Sequence, residues 1–575
     1  DDILLEGGEL TPFSRALLMF SYDVYKAYAN IWEDITKELR GLRETWLGRG
    51  WYTPAEAVYA LGLAILTARA RHAEQNIDAE TAKTALRLAG FGIHQVFNQS
   101  AVDIVIGLLR PLRDQYLDEW VSLLDHAANI EVTKLVLKEL VKIYDHASDL
   151  KDWAKAYLAH AYARARDKER AYSLLNEIKD DVLRIIAGAY AYYRLTGTEM
   201  PCRDANPCKE LEDINQRLEK LREETSNPRE FLDRHPGLEE YLRWYSEKGS
   251  EEVLDAVIKE VHAFAISGLG ACALKSGELD KAEKYFNETA AIVRGLRYWR
   301  NYLVSKGRAI SIMALRGEGL EKVINEFERL WGETLQRMES RAPYLGAAAY
   351  VLGGYLVTLA LMSRYDDIKN LLEEYSPLLD MDKQLDVVTR LTLKYLGVDV
   401  KVPGTKEILE AMWEHVIPEF RSAIAEILNM HIPVEDVPLL CGDKEVKDSV
   451  LCVNAYITVK GNKNVKDVED SVKQYIMNAL SKEGIPLSMI NSLKIIDVKK
   501  LIEVYAPTIS WSHLILLLRA LVSGDKRLAQ LHAKIGRVVY CGFLGKLFGE
   551  LDDALSKDDE NGIKQAIARL YYFHF

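Results

Sequence analysis

The chain has 575 residues, 49% of them apolar, with only 15 prolines and 35 glycines. It can bury a large core, and helix breakers are sparse. A net charge of -12 argues against bulk attraction to nucleic acid or anionic lipid, while leaving room for a local basic patch.

The sequence begins at Asp1 without a charged leader and an apolar segment, and is expected to have been trimmed or cut from something longer. Thr11-Pro12 predicts a helix start, with an apolar-rich stretch through Ala29. Arg40 to Trp51 reads as a glycine-punctuated connector. Thr53-Pro54 starts a helix carrying Leu61-Gly62. Its partner is expected over 78–88, where Ala79, Ala82, Ala85, Leu86 and Ala89 make a small-residue packing face. Helices between 100 and 149 are less regular, so 1–150 is grouped as an irregular region of helical hairpins.

Regularity returns at 151–178, with Leu158, Ala159 and Tyr162 on one helix and Ala171 and Leu175 on the next. Val182 to Arg194 opens another hairpin, interrupted by a loop carrying Cys202 and Cys208. Leu211 to Glu224 is a strongly charged helix. Asn227-Pro228 and His235-Pro236 punctuate a connector rather than a core element. The clearest hairpin is His262 to Arg294. There Ile266, Leu269, Gly270 and Ala273 recur at helical spacing, and Gly270 has no side chain to hold a neighbour away. Ser276-Gly277 ends the first helix, Asp280 starts the second, and Ala282 and Phe286 share a face.

Further hairpins are expected to turn at Gly317 or Gly319 and at Arg364-Tyr365. The stretch 342–363 carries no formal charge and is long enough to cross a bilayer. Its Gly, Ala and Tyr content suits close packing between helices instead, and no membrane span is expected. Val398 to Thr405 marks a boundary between a central region, 151–397, and a C-terminal region, 398–575. His431 to Lys444 is a second break, and Leu451 to Val459 suits either a strand or a helix. The pattern resumes after Ser512, with Gly524 at a turn and Ala529 and Ala533 beyond it. Asp552 to Phe575 closes with a last hairpin whose aromatic end needs a covering neighbour.

No Walker phosphate loop, HExxH, Gly-x-Ser-x-Gly, calcium loop or dinucleotide fingerprint occurs. Cys202, Cys208, Cys441 and Cys452 lack paired CxxC spacing and adjacent histidines, which makes a poor zinc site. Disulfides within Cys202/Cys208 and Cys441/Cys452 are expected, at about 2 to 3 kcal/mol each, with free thiols as the alternative. In a cytosolic protein they would suggest a hyperthermophile. Asp125-His126 and Asp145-His146 offer metal-donor types, but neighbours on a helix point about 100° apart. Each pair is expected near a helix end, where histidine meets exposed carbonyls. Arg40-Gly-Leu-Arg43 with Trp46 and Trp51, and Arg294-Gly-Leu-Arg297 with Tyr298, Trp299, Arg300 and Tyr302, repeat a basic and aromatic phrase. Arg294, Arg297, Trp299 and Arg300 are interface candidates, against a solvated helix start with its rings in the core.

Leu269-Gly270, Ala273, Gly277, Ala282 and Phe286 fall at the packing positions of a tetratricopeptide repeat, which this hairpin resembles over about 33 residues. The resemblance implies an all-α, right-handed superhelix of stacked hairpins with irregular connectors. By its register the ligand face would receive Trp153, Ala156, His160 and Arg164 from the early repeat. Phe264, Ser267, Ala271 and Lys275 would follow from the later one. Members that grip chaperone tails carry a Lys and Asn clamp there; this chain has Ala156, His160, Ser267 and Ala271, so that ligand is not expected. The implied function is a non-catalytic cytoplasmic scaffold for a protein partner or another domain of its own longer chain, with no cofactor, metal, nucleic acid or membrane. In architecture and in passages such as Leu108 to Trp120 the chain also loosely resembles the sensor arm of STAND-type signalling NTPases, including archaeal ones. That makes a regulatory arm the alternative. An enzyme of unrecognised type would need a deep pocket with convergent, pKa-shifted groups.

Overall fold

The computed structural model describes residues 109–130, 132–165, 167–196, 207–225, 227–245, 249–338, 345–379, 382–404, 509–540 and 542–574, with scattered positions besides. The expectations for Thr11 to Arg71, for the breaks at 405 and 431–444, for 451–459 and for Cys202, Cys441 and Cys452 lie outside them. Regular structure among the described residues is helical, apart from a two-residue antiparallel ladder of Leu5–Glu6 with Glu9–Leu10. The chain forms two compact units, 1–195 with 209–265 and 335–344, and 196–208 with 266–334 and 345–575. The division runs through one long helix, Ser250–Ser276.

The first unit contains α1 (Leu117–Ile130), α2 (Lys134–Tyr144), α3 (Asp152–Arg164), α4 (Lys168–Glu177), α5 (Asp181–Leu195), α6 (Cys208–Glu224, from Lys209), α7 (Pro228–Arg234), α8 (Pro236–Tyr245) and the start of α9 (Ser250–Ser276). Polar side chains start several of them. Thr133 accepts from the Val136 N–H, Asp167 from that of Arg170, and Asp180 from those of Val182 and Leu183. Such a cap contributes about 1 kcal/mol. Packing surrounds α3, whose residues from Trp153 to Ala163 are all buried. Leu158, Ala159, Tyr162, Ala171 and Leu175 are buried as their spacing predicts.

Three expectations are corrected here. The segment with Asn227-Pro228 and His235-Pro236 is core, not connector: α7 and α8 bury Phe231, Leu232, Leu238, Tyr241 and Leu242. Proline opens both helices, a position where its missing N–H would have had no partner anyway. Ala82, Leu86 and Ala89 are buried, but Ala79 is exposed. Asp125 and His126 lie inside α1 rather than at its end.

The second unit contains the rest of α9, α10 (Leu279–Gly295), α11 (Trp299–Arg316), α12 (Leu320–Met338, to Thr334), α13 (Leu345–Leu361), α14 (Tyr365–Leu379), α15 (Lys383–Tyr395), α16 (Ile509–Val522), α17 (Lys526–Val539), α18 (Gly542–Ser556) and α19 (Glu560–His574). Gly277 (φ 80°), Gly317 (φ 86°) and Gly524 (φ 80°) close hairpins in the left-handed region. Ser363 (φ 56°), Asp558 (φ 54°) and Arg297 (φ 60°) do the same without being glycine. A Cβ on Gly270 would lie 3.0 Å from the Phe286 ring, so the bare backbone lets α10 approach α9. The aromatic end of α19 is covered: the Tyr572 and Thr358 hydroxyls are 2.7 Å apart, and those of Tyr571 and Thr389 are 2.9 Å apart.

Within the uncharged stretch 342–363, Leu345–Leu361 forms α13, a 17-residue helix. Among the described residues α9 alone is long and apolar enough to cross a membrane, and 83% of its apolar window is buried inside the protein. Cys208 also does not pair with Cys202 as expected: it joins Cys272, with Cα atoms 6.1 Å apart and a sequence separation of 64. Cys272 sits inside α9, four residues before its last residue, where no loop signal marks it.

Candidate functional site

The ligand face implied for α3 is covered from within. Trp153 stacks on Trp244 of α8 at 5.2 Å and 6°, and Tyr157 stacks on Tyr241 at 4.7 Å. The Tyr157 hydroxyl donates to the Tyr241 carbonyl at 3.2 Å. Trp153, Ala156 and His160 are therefore buried, and the half-buried Arg164 turns its guanidinium inward to Asp125, so they present nothing to an external partner. On α9, Phe264 is half-buried with its ring centre 4.9 Å from those of Tyr190 and Tyr193. Ser267 and Ala271 are buried, and Lys275 is half-buried.

These residues take part in a buried polar cluster. His160 and Arg164 of α3, one turn apart, meet Asp125 of α1, Tyr190 and Arg194 of α5, Tyr241 and Tyr245 of α8 and Glu260 of α9. Arg164 Nε lies 3.2 Å from Asp125 Oδ1, within ion-pair range though not aligned for a hydrogen bond. His160 Nδ1 is 4.0 Å from Asp125 Oδ2, and its ring stacks on Tyr190 at 4.8 Å. The guanidiniums of Arg164 and Arg194 lie 5.7 and 5.9 Å from the Tyr190 ring centre. Burial, reinforced by the Arg164 charge, pushes His160 down to about 3 and keeps it neutral. Burial raises Asp125, against the opposing pull of Arg164 and Arg194. Glu260 is pushed up to about 7 by burial, against the hydrogen bond it accepts from Tyr245. With Asp125 and His160 sealed from solvent, this cluster orders a core rather than meeting a ligand.

Asp180, Asp181 and His235 bring three possible metal donors within 4.8 Å of one another. Asp180 Oδ1 already caps α5 and lies 3.3 Å from His235 Nδ1. The trio is explained as a helix cap.

An open cleft of about 570 Å³ lies in the second unit. Its α10 side is low, because Ala290, Ala291 and Gly295 contribute little volume beside Arg294 and Asn287. From α11 come Tyr302 and Lys306, and from α12 come Arg329 and Glu333. The Tyr302 hydroxyl donates to Glu333 Oε2 at 2.9 Å, and burial together with that carboxylate raises the phenol's pKa. Lys306 donates to Asn287 Oδ1 at 3.1 Å and lies 3.7 Å from Glu326, to which Arg329 donates at 2.6 Å. Arg294 is exposed, 5.2 Å from the Tyr302 ring centre, and pairs with no carboxylate among the described residues.

Comparison with family models, with curated proteins and with solved structures returned no match.

Of the basic and aromatic phrase at 294–302, Arg294 and Tyr302 enter the cleft. Arg297 is exposed and ends α10 in a left-handed conformation, Arg300 is exposed, and Trp299 packs edge-on to Tyr302 at 6.0 Å. Lys306, Arg329 and Glu333 were not singled out from the sequence. Lys306 stands one turn beyond Tyr302 and was open to detection as a basic residue on the same face. Arg329 and Glu333 arrive from the next helix, and nothing local marks them.

Proposed function

We propose that the chain is a non-catalytic scaffold of tetratricopeptide-like hairpins, stacked as a right-handed superhelix. Its work is to hold a protein partner or another domain of a longer chain. The observation that supports this reading is the cleft of α10, α11 and α12. There an arginine with no carboxylate partner among the described residues lies over a tyrosine in a depression of about 570 Å³. Arginine and tyrosine dominate the energetics of protein interfaces because each combines a large flat surface with directed donors. The ligand face implied by the family register is filled by α8, so the partner is assigned to the cleft instead.

Ala291→Trp tests this by filling the cleft from the exposed, low side of α10 without removing a charge. Immobilised wild type and variant are exposed to extract of the source organism, and retained proteins are identified by mass spectrometry. A protein held by wild type and lost from Ala291→Trp is expected. Identical retained sets would overturn the assignment.

A further inference from the structure

We infer that the cleft recognises a phosphate monoester, carried on a side chain of the partner or on a free metabolite. The inference rests on the cleft being the binding site. Three cationic side chains, Arg294, Lys306 and Arg329, line one depression against a single lining carboxylate, Glu333. Lys306 and Arg329 share one further carboxylate, Glu326, so their positions are fixed while their charge is only partly neutralised. Arg294 has no such partner among the described residues and lies over the Tyr302 ring, which pre-orders its planar donors.

A lone carboxylate offers one charge and two oxygens. A monoester offers about 1.5 to 2 charges and three strong acceptor oxygens, which suits three cationic groups better. Longer polyanions are disfavoured on three counts. The chain as a whole carries a net charge of -12, which repels an extended phosphate backbone. Glu333, held by the Tyr302 hydroxyl, sets a negative charge in the same cleft, where a second phosphate would meet it. A single ring, Tyr302, also makes no stacking platform for successive bases. The small side chains at Ala290, Ala291 and Gly295 leave room for the carbon skeleton that bears the phosphate.

The test is fluorescence anisotropy with the full chain and a labelled phosphoserine peptide flanked by glycines, competed by its unphosphorylated form, its glutamate form, glycerol 3-phosphate and an oligothymidylate. Saturable binding of the phosphopeptide is expected, at least about tenfold tighter than the glutamate form and lost on Arg294→Glu, with partial retention in Arg294→Lys. Affinity should rise as pH passes about 6, where the second phosphate proton leaves. Competition by glycerol 3-phosphate as strong as by the phosphopeptide assigns the free-metabolite source; competition about tenfold weaker assigns the partner side chain. No saturable binding by either ester, equal binding of the glutamate form, displacement by oligothymidylate, or an unchanged affinity in Arg294→Glu with an unchanged melting profile would each overturn the inference. If the phosphopeptide fails while Ala291→Trp still abolishes capture from extract, the cleft stands and the ligand class falls. If capture ignores Ala291→Trp, the cleft assignment itself falls.

Discussion

Breaking the Cys208–Cys272 bond should weaken the fold substantially. The bond spans 64 residues of sequence. On the chain-entropy estimate, closing a loop of that length removes about 14 cal/mol/K from the unfolded ensemble, or about 4 kcal/mol at 25 °C. For units of this size each kcal/mol shifts the midpoint by about 2 to 4 °C, so the double variant Cys208→Ala/Cys272→Ala should melt roughly 10 °C lower. Scanning calorimetry of wild type, with and without reductant, and of the double variant would measure it. Reductant should lower the wild-type transition and leave the variant where it is. Peptide mapping of the alkylated, unreduced protein should recover the two cysteines as one crosslinked species. A modified, monomeric Cys272 peptide, or midpoints agreeing within about 2 °C, would refute the reasoning.

Glu260 and His160 predict opposite limbs of a pH profile. A carboxyl raised to about 7 keeps its proton in the folded state after the unfolded chain has released its own. Stability should therefore fall as pH rises from about 4.5 to about 7, by a few kcal/mol at most, and Glu260→Gln should flatten that limb in urea titrations. His160, held down to about 3, stays neutral while the unfolded chain takes up a proton. Stability is thus lost as pH falls from about 6.5 toward 3, and His160→Gln should remove that dependence. At Gly353 an added Cβ would lie 2.5 Å from the Tyr571 hydroxyl, so Gly353→Ala should cost about 1 to 3 kcal/mol by thermal melting despite its better helix propensity. Arg297→Gly should stabilise by about 1 kcal/mol, because it relieves a left-handed backbone at an exposed site. An unaltered or lowered midpoint in that variant would show that the arginine's contacts outweigh the relief.

What was legible in the sequence was local. Gly270, Ala282 and Phe286 stand within a few helical turns of one another, and their spacing alone brings a bare backbone against a ring. Gly277 and Gly524 marked turns because glycine tolerates the left-handed region; Ser363 and Asp558 turn the chain equally without that signal. Two prolines misdirected the reading of 227–245, since a breaker inside a helix is harmless at its first position. Missing α8 had a second effect, for α8 fills the face where Trp153 and His160 were expected to await a ligand. The disulfide and the cleft failed to show for one physical reason. Cys208 with Cys272, and Arg294 with Arg329, meet only after several helices have packed.

The tyrosines of the final helix bear on how the molecule is made. Tyr572 reaches back 214 residues to Thr358, and Tyr571 reaches 182 residues to Thr389. During synthesis the partners of these hydroxyls emerge long before the tyrosines do, at about 5 to 20 residues each second. For that interval of roughly ten seconds or more, α13 and α15 wait on the ribosome with an oily flank uncovered. Pairing of Tyr571 and Tyr572 with that flank, once α19 has emerged, is the event that ends its exposure.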